Sequence, residues 1–348
     1  MKKNESFLSV LAGVLLFTVL FVFTDVFTEG IGSGLSVCGK ILIPSLFPFL
    51  IAASLTGSTP LPFPIKKALN PITRFLFGLP SDCLPAIILG QLGGYLSGAK
   101  SVQSLCSGGI ISPSQAERIL LFCINAGMGF SVNAVGSGML NSREAGKVLL
   151  FSLCISSVVL GVVARFFIKD KSDSVQKQKT ESIPFSSAVV SSVTSGTQSM
   201  LAACGFVIIF SGIGAVIESI AQSHTLRLSL NCLLEVTKGC RELSGNASLP
   251  VIAAVCAFGG LCVHLQIFAI SREIPLNLLR FYLFRLLHSV TAYAVCKIIL
   301  HFHPVTLTAS VSFYSNARVF SFSAPAAISL LFLCALLILD LDNNRKIC

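Results

Sequence analysis

Charged residues are scarce in this sequence, at 11% of its 348 positions, whereas hydrophobic residues make up 53%. Such a chain holds more apolar surface than one water-soluble core can bury, so the composition excludes an ordinary soluble domain. A lipid bilayer is the solvent that fits this composition, because several apolar runs approach the about 20 residues that a spanning helix needs. The sequence therefore predicts an all-α integral membrane protein.

The sequence also lacks the common signatures of nucleotide use and hydrolysis. It contains no GxxxxGKS/T, no HExxH and no GxSxG motif, so we expect no ATP-driven pumping within this chain and no enzyme. The 13 cysteines include no CxxC pair, and many lie in apolar runs as small fillers, as at Cys123, Cys154, Cys204, Cys256 and Cys334. We predict no cofactor and no metal site.

Apolar run length predicts about eight spanning helices, at residues 7–23, 41–57, 119–140, 148–168, 200–220, 250–270, 281–301 and 326–339. Two further segments, 84–108 and 228–245, are semi-apolar, interrupted by glycine and charged, which is typical of re-entrant hairpins. The segment 7–23 could instead be a cleaved signal peptide. We predict a retained helix, because the small residues of a cleavage site are missing after Phe23.

The distribution of basic residues predicts the orientation. With the N-terminus in the cytoplasm, sixteen of the 25 Lys and Arg residues would lie on the cytoplasmic side, six on the opposite side and three in the two hairpins. This bias explains the net charge of +10 without nucleic acid, because the cations lie in loops rather than on one soluble face. We therefore expect both termini in the cytoplasm and no nucleic-acid partner.

The order of segments recurs along the chain. A full span, a semi-polar hairpin, a glycine-interrupted span and another full span follow one another in each half, and three crossings per half would invert the second copy. This predicts an N-terminal membrane helix (1–34), a first repeat (35–168), a cytoplasmic polar linker (169–184), a second, inverted repeat (185–302) and a C-terminal helix and tail (303–348). The alternative is a chance arrangement.

The first hairpin contains a glycine-rich turn followed by a positive charge. Glycines let the backbone turn and bring N–H groups close to a ligand, and a lysine beside them favours an anion. The candidate residues are Gly94, Tyr95, Ser97, Gly98 and Lys100. The alternative is tight helix packing by glycine, with Lys100 reaching the cytoplasmic surface.

The second hairpin and the interrupted spans carry the other candidates. Glu235, Lys238 and Arg241 are spaced three apart, so on one helix they would share a face and neutralise one another, and Thr237 lies among them. The alternative is an amphipathic surface helix. In the interrupted spans the candidates are Asn125, Asn133, His264 and Gln266, for which structural hydrogen bonds are the alternative to solute binding.

These motifs resemble the YlbJ (SpoVV) family of sporulation integral membrane proteins, within the Gate or nucleoside-recognition domain group. The resemblance runs through most of the chain. It rests on residues 44–49 (PSLFPF), 94–100 (GYLSGAK), 234–239 (LEVTKG), 258–266 (FGGLCVHLQ) and 285–288 (RLLH). The family pattern has proline after the hairpin tyrosine, where this chain has Leu96.

The resemblance implies a function in endospore formation. It implies Gate-like repeats, residence in the outer forespore membrane and movement of dipicolinate, a flat pyridine with two carboxylates. The residues alone indicate only a small anionic solute in a protein surrounded by lipid, and homo-oligomerisation is left open. The alternatives are a transporter of nucleosides or other small solutes, and a membrane scaffold or signalling protein that transports nothing.

Overall fold

The structure is a computed structural model that describes residues 2–57, 61–168 and 184–305. Within these ranges all regular secondary structure is helical, so the prediction of an all-α protein is confirmed. The predicted linker lies almost wholly outside the described residues, and so do the predicted span 326–339 and the tail.

The helices begin and end as follows. The first half contains α1 (Lys2–Val22), α2 (Thr24–Val37), a π-helical segment (Cys38–Leu42), α3 (Ile43–Gly57), α4 (Phe63–Phe77), a 3-10 turn (Ser81–Cys83), α5 (Leu84–Leu92), α6 (Tyr95–Ser107), α7 (Pro113–Phe122), a second π-helical segment (Gly129–Met139) and α8 (Arg143–Phe167). The second half contains α9 (Phe185–Ile220), α10 (His224–Leu234), α11 (Val236–Leu243), α12 (Leu249–Phe258), α13 (Gly260–Ile270) and α14 (Leu278–Phe302).

Five helical stretches of the described chain are long and apolar enough to cross a membrane: Thr24–Thr56, Arg143–Phe167, Phe185–Ile220, Leu249–Ile270 and Leu278–Phe302. A sixth is added if α4 and the segment Ser81–Leu92, which meet at 84°, count as one bent span. Of the other predicted spans, 7–23 lies within α1, and 119–140 is divided between α7 and the second π-helical segment. The helix α4 was not predicted, because proline and basic residues interrupt its apolar pattern.

Both predicted hairpins are pairs of short helices that pack against each other. The first hairpin consists of α5 and α6, and the second consists of α10 and α11. Both predicted interruptions are also present. The first interrupted span is α7 with the second π-helical segment, broken at residues 123–127, and the second is α12 with α13, broken at Gly259.

Helical segments that correspond to the predicted order occur in both halves, with α4 as an additional helix in the first half, and the repeat itself stays a prediction. Helices at equivalent positions of the two halves also contact each other, because α3 packs against α9 and α8 packs against α14. The contacts between hairpins and interrupted spans of opposite halves are matched too: α6 packs against α13, and α11 packs against the second π-helical segment.

The outward faces of the helices are apolar. Large side chains such as Phe167 on α8, Leu201 on α9 and Leu279 on α14 are mostly exposed, whereas Arg285 and several serines and amides are buried inside. A soluble protein of this size would bury such apolar side chains. The distribution is that of a protein whose outer surface faces lipid.

Glycines allow the first hairpin to pack against the first interrupted span. A Cβ atom at Gly90 would lie 2.1 Å from the carbonyl oxygen of Cys123, and one at Gly98 would lie 2.8 Å from Cα of Gly90. Side chains at either position would push backbones apart. The tight-packing alternative therefore accounts for Gly90 and Gly98.

We predict that Gly90→Ala lowers the stability of the protein by about 1–3 kcal/mol, because its Cβ meets backbone rather than a movable side chain. Gly205→Ala is the matched control, since a Cβ there meets nothing within 4 Å and helical alanine is favoured by about 0.5–1 kcal/mol over glycine. Thermal unfolding of both variants in detergent measures the difference. Equal melting temperatures for the two variants would contradict the packing described.

Candidate functional site

The turn of the first hairpin lies at Gly93 and Gly94. Gly94 has φ of 105°, a conformation that residues with a Cβ rarely adopt, and α6 begins at the next residue, Tyr95. The hydroxyl of Ser97 donates to the carbonyl of Gly93 at 3.1 Å, which closes the first turn of α6. The residues from Tyr95 to Ala99 are all buried, so this turn lies in the protein interior.

The turn contacts the break in the first interrupted span. A Cβ at Gly127 would lie 2.5 Å from the backbone nitrogen of Gly94 and 2.7 Å from the carbonyl oxygen of Leu92. The two irregular segments therefore touch backbone to backbone. Only glycine at position 127 permits this distance.

The second hairpin meets the second interrupted span in the same way. Glu235 separates α10 from α11 and has an extended backbone, with φ of −144°. A Cβ at Gly260 would lie 3.1 Å from the carbonyl oxygen of Leu234 and 3.3 Å from the nitrogen of Glu235. In each half, the break in the hairpin therefore lies against the break in the interrupted span.

Tyr95 joins the two halves at these breaks. Its hydroxyl donates to the carbonyl oxygen of Cys256 at 2.5 Å, near the end of α12, and its ring lies 3.4 Å from the Cβ position of Gly259. This hydrogen bond supplies a donor to a carbonyl group in the last turn of α12, where carbonyl groups have no partner within the helix. Tyr95 thus brings the first hairpin to the break of the other half, so all four interruptions lie together.

Arg285 of α14 is buried beside these interruptions, with 1% of its surface exposed. Its guanidinium donates to the carbonyl oxygens of Leu121 and Ile124 at 2.6 and 2.7 Å, at the end of α7. It also lies over the ring of Phe281. Within the described ranges, no carboxylate lies within 4 Å of Arg285, and its Nε has no hydrogen-bond partner.

Arg285 belongs to the segment 285–288 (RLLH), but the sequence pattern did not identify it as a site residue. The signal that would have found it is a single arginine four residues inside a predicted apolar span, because an ionisable residue at membrane depth is a functional candidate by default. What sequence reasoning missed was that this positive charge lies at the interrupted helices rather than at the membrane surface.

Asn125 lies in the break of the first interrupted span and is fully buried. Its Nδ2 donates to Oε1 of Gln91 at 2.5 Å, Gln91 donates to the hydroxyl of Ser157, and Ser157 donates to the carbonyl of Phe122. The Oδ1 atom of Asn125 has no partner among the described residues. The structure therefore brings Asn125 into the buried group, whereas Asn133 is exposed on the second π-helical segment.

His264 and Gln266 lie on α13, and both make structural hydrogen bonds. Nε2 of His264 lies 2.8 Å from the carbonyl oxygen of Phe258, and its ring packs edge-on against aromatic rings that include Phe281. Gln266 donates to the carbonyl oxygen of Ala203 at 3.4 Å. For these two candidates the geometry favours the structural alternative.

The expected mutual neutralisation in the second hairpin is wrong. Because α11 begins only after Glu235, the Glu235 carboxylate caps that helix and accepts from the backbone N–H groups of Thr237 and Lys238 at 2.9 and 2.7 Å. The Lys238 ammonium instead pairs with Glu218 of α9, at 3.1 Å. Arg241 is partly exposed and lines an open pocket beside Glu218 and Lys238.

Lys100 is half-buried on α6, on the turn after Ser97. The carboxylate that acts on it electrostatically is that of Glu273, which lies in the loop between α13 and α14. Gln103 and Ser107 of the same helix donate to Glu273 at 2.6 and 2.8 Å. The role of Lys100 as a ligand for a solute stays a prediction.

Among known proteins, the chain is similar to the sporulation integral membrane protein YlbJ of Bacillus subtilis (strain 168). The two are 23% identical over 319 residues, which cover 80% of this chain and 78% of YlbJ. The match supports a YlbJ-like family assignment. The resemblance predicted from the motifs is thereby confirmed, together with residence in a membrane. No protein-family model matches the chain, and no solved structure matches it.

We predict that Tyr95→Phe lowers the stability by about 0.5–1.5 kcal/mol, because it removes one buried hydrogen bond between the halves and leaves the ring in place. Tyr293→Phe on α14 is the control, since Tyr293 is 39% exposed on the outer surface. Thermal unfolding in detergent measures both. A Tyr95→Phe protein as stable as the control would show that the bond to Cys256 contributes little.

Proposed function

We propose that this protein transports a small anion and that the anion binds where the four helix interruptions meet. The observation that carries this proposal is the buried Arg285 beside those interruptions. The carbonyl groups at the end of α7 offset part of its charge, but no carboxylate of the described chain lies within 4 Å of it. A bound anion would neutralise the remaining charge of Arg285. It would also accept a hydrogen bond from the Nε atom, which has no partner in the described chain.

The helix ends around the interruptions support the same ligand. α6 begins at Tyr95 and α13 begins at Gly260, so the positive ends of two helix dipoles lie at the breaks. The corresponding end of α11 is already capped by the carboxylate of Glu235. A solute carboxylate would therefore bind at α6 and α13, with Asn125 and Arg285 beside it.

Helices that are interrupted at equivalent places in two halves are a feature of many secondary transporters. We propose that the two halves form the inverted repeat expected from the sequence, with both termini in the cytoplasm. Transport would then proceed by movement of one half against the other around the breaks. In this proposal the protein acts as a transporter and not as an enzyme.

For the solute, we propose dipicolinate. The similarity to a sporulation integral membrane protein supports a role in spore formation, and the motifs imply the outer forespore membrane as the place of action. Dipicolinate carries two carboxylates on one flat ring, which suits a planar guanidinium and two helix N-termini. A nucleoside carries no such charge, so Arg285 favours the dicarboxylate.

We predict that dipicolinate raises the melting temperature of the purified protein in detergent, whereas nucleosides do not. At a ligand concentration about 100 times Kd, binding adds about 2.7 kcal/mol of stability. Arg285→Gln should abolish this shift. Arg280→Gln, on the same helix but 54% exposed, should keep it.

Because Arg285→Gln also leaves the carbonyl groups of α7 unpaired, Lys100→Ala provides a second test with less risk to folding. It should reduce the shift, because it removes a half-buried positive charge from α6, the helix that begins at the break. Its control is Lys147→Ala, whose exposed side chain pairs only with Glu144 in the described chain. A nucleoside-dependent shift would replace dipicolinate as the solute. Equal stability with every solute would favour a scaffold protein that transports nothing.

We also predict that deletion of the gene yields spores with little dipicolinate, while synthesis in the mother cell continues. Wild-type gene supplied in trans should restore the content, and the Arg285→Gln gene should not. The measurement is dipicolinate released from purified spores, compared with dipicolinate in the mother-cell fraction. Normal spore content in the deletion strain would reject dipicolinate as the solute.

A further inference from the structure

The second hairpin carries a polar cluster at the end of α11 opposite Glu235. Nδ2 of Asn231 donates to Oε1 of Glu218 at 3.1 Å and also to Oε1 of Glu242. Lys238 lies 3.1 Å from the same Glu218 oxygen. Glu218 therefore has a cation as its partner, whereas no Lys or Arg nitrogen of the described residues lies within 4 Å of Glu242.

Two buried oxygen atoms in this cluster have no hydrogen-bond donor within the described ranges. They are Oδ1 of Asn231 and Oε2 of Glu242, and Asn231 is only 1% exposed. An amide oxygen and an ionised carboxylate oxygen are both acceptors, so neither can satisfy the other. The two side chains are nevertheless already joined through their other atoms, Nδ2 and Oε1.

One proton would satisfy both oxygen atoms. A protonated carboxyl group has an O–H donor, and an amide and a carboxylic acid can pair through two hydrogen bonds, N–H to carbonyl and O–H to carbonyl. We infer that Glu242 binds the proton that is coupled to solute movement, with Asn231 as its partner. This inference rests on the transport function proposed above.

An open pocket adjoins this group. Glu242 lines an open pocket together with His224, Arg227 and Arg241. The charged and titratable groups that face it are Glu218 from α9, His224, Arg227 and Cys232 from α10, and Lys238 and Arg241 from α11 itself.

The short helix α11 connects this group to the solute. Glu235 precedes its first residue and Glu242 is its penultimate one, so the two are about 10 Å apart along the helix axis. The Glu235 end of this eight-residue helix lies against Gly260, the first residue of α13, so α11 joins the proposed proton site to the border of the proposed solute site. Such a shared element is what energetic coupling between two ligands requires.

The test uses full-length protein in lipid vesicles, with dipicolinate as solute, the membrane potential held at zero and a pH gradient of about one unit. One proton per solute then supports about tenfold accumulation. The wild-type protein should reach tenfold accumulation, and so should the control Glu144→Gln, because the carboxylate of Glu144 is exposed. Glu242→Gln should only equilibrate the solute, because its amide mimics the protonated state and cannot release a proton, while exchange without a gradient continues.

Tenfold accumulation by Glu242→Gln would overturn the inference, and so would wild-type accumulation that follows a Na⁺ gradient instead of the pH gradient. If the wild-type protein exchanges no dicarboxylate, the proposed transport function is wrong. The proton site at Glu242 is then tested separately by thermal unfolding. Glu242→Gln should melt about 2–4 °C above wild type at alkaline pH and together with it at acidic pH, since ionised Glu242 leaves Asn231 without a donor. If the melting temperatures of Glu242→Gln and wild type differ by the same amount at acidic and alkaline pH, the assignment of the proton site to Glu242 is wrong.

Discussion

Helix ends inside a membrane protein must find hydrogen-bond partners within the protein, because lipid offers none. This constraint organises the interior of the molecule. Arg285 pairs with carbonyl groups at the end of α7, Tyr95 with a carbonyl near the end of α12, and Glu235 with the first N–H groups of α11. Three of the four interruptions thus have a buried polar side chain as hydrogen-bond partner, which explains why so many polar residues are buried in so apolar a chain.

The halves depend on each other for these partners. Tyr95 belongs to the first half and donates a hydrogen bond to a carbonyl group of the second half. Arg285 belongs to the second half and donates to carbonyl groups of the first. Neither half alone could satisfy its own broken helices. The group of interruptions is therefore complete only when both halves are folded and packed, which places the proposed solute site at the boundary between them.

The sequence predicted what depends on local pattern. Apolar runs identified the long helices, and glycine with scattered charge identified both hairpins and both interrupted spans. Partners distant along the chain could not be predicted, since no local pattern links Lys238 to Glu218 or Arg285 to Leu121. The helix α4 was missed for a local reason, because Pro71 lies within it and its basic residues resemble those of a loop.

The length of α9 has a consequence for the shape of the protein at the membrane surface. Its 36 residues extend about 54 Å, whereas the hydrocarbon core is about 30 Å thick and membrane helices tilt on average by about 20°. Tilt of that size cannot absorb the difference, so part of α9 stands outside the hydrocarbon. Its first turns, rich in serine and threonine, are the more polar end of this helix and are the part that a bilayer surface would accommodate most easily.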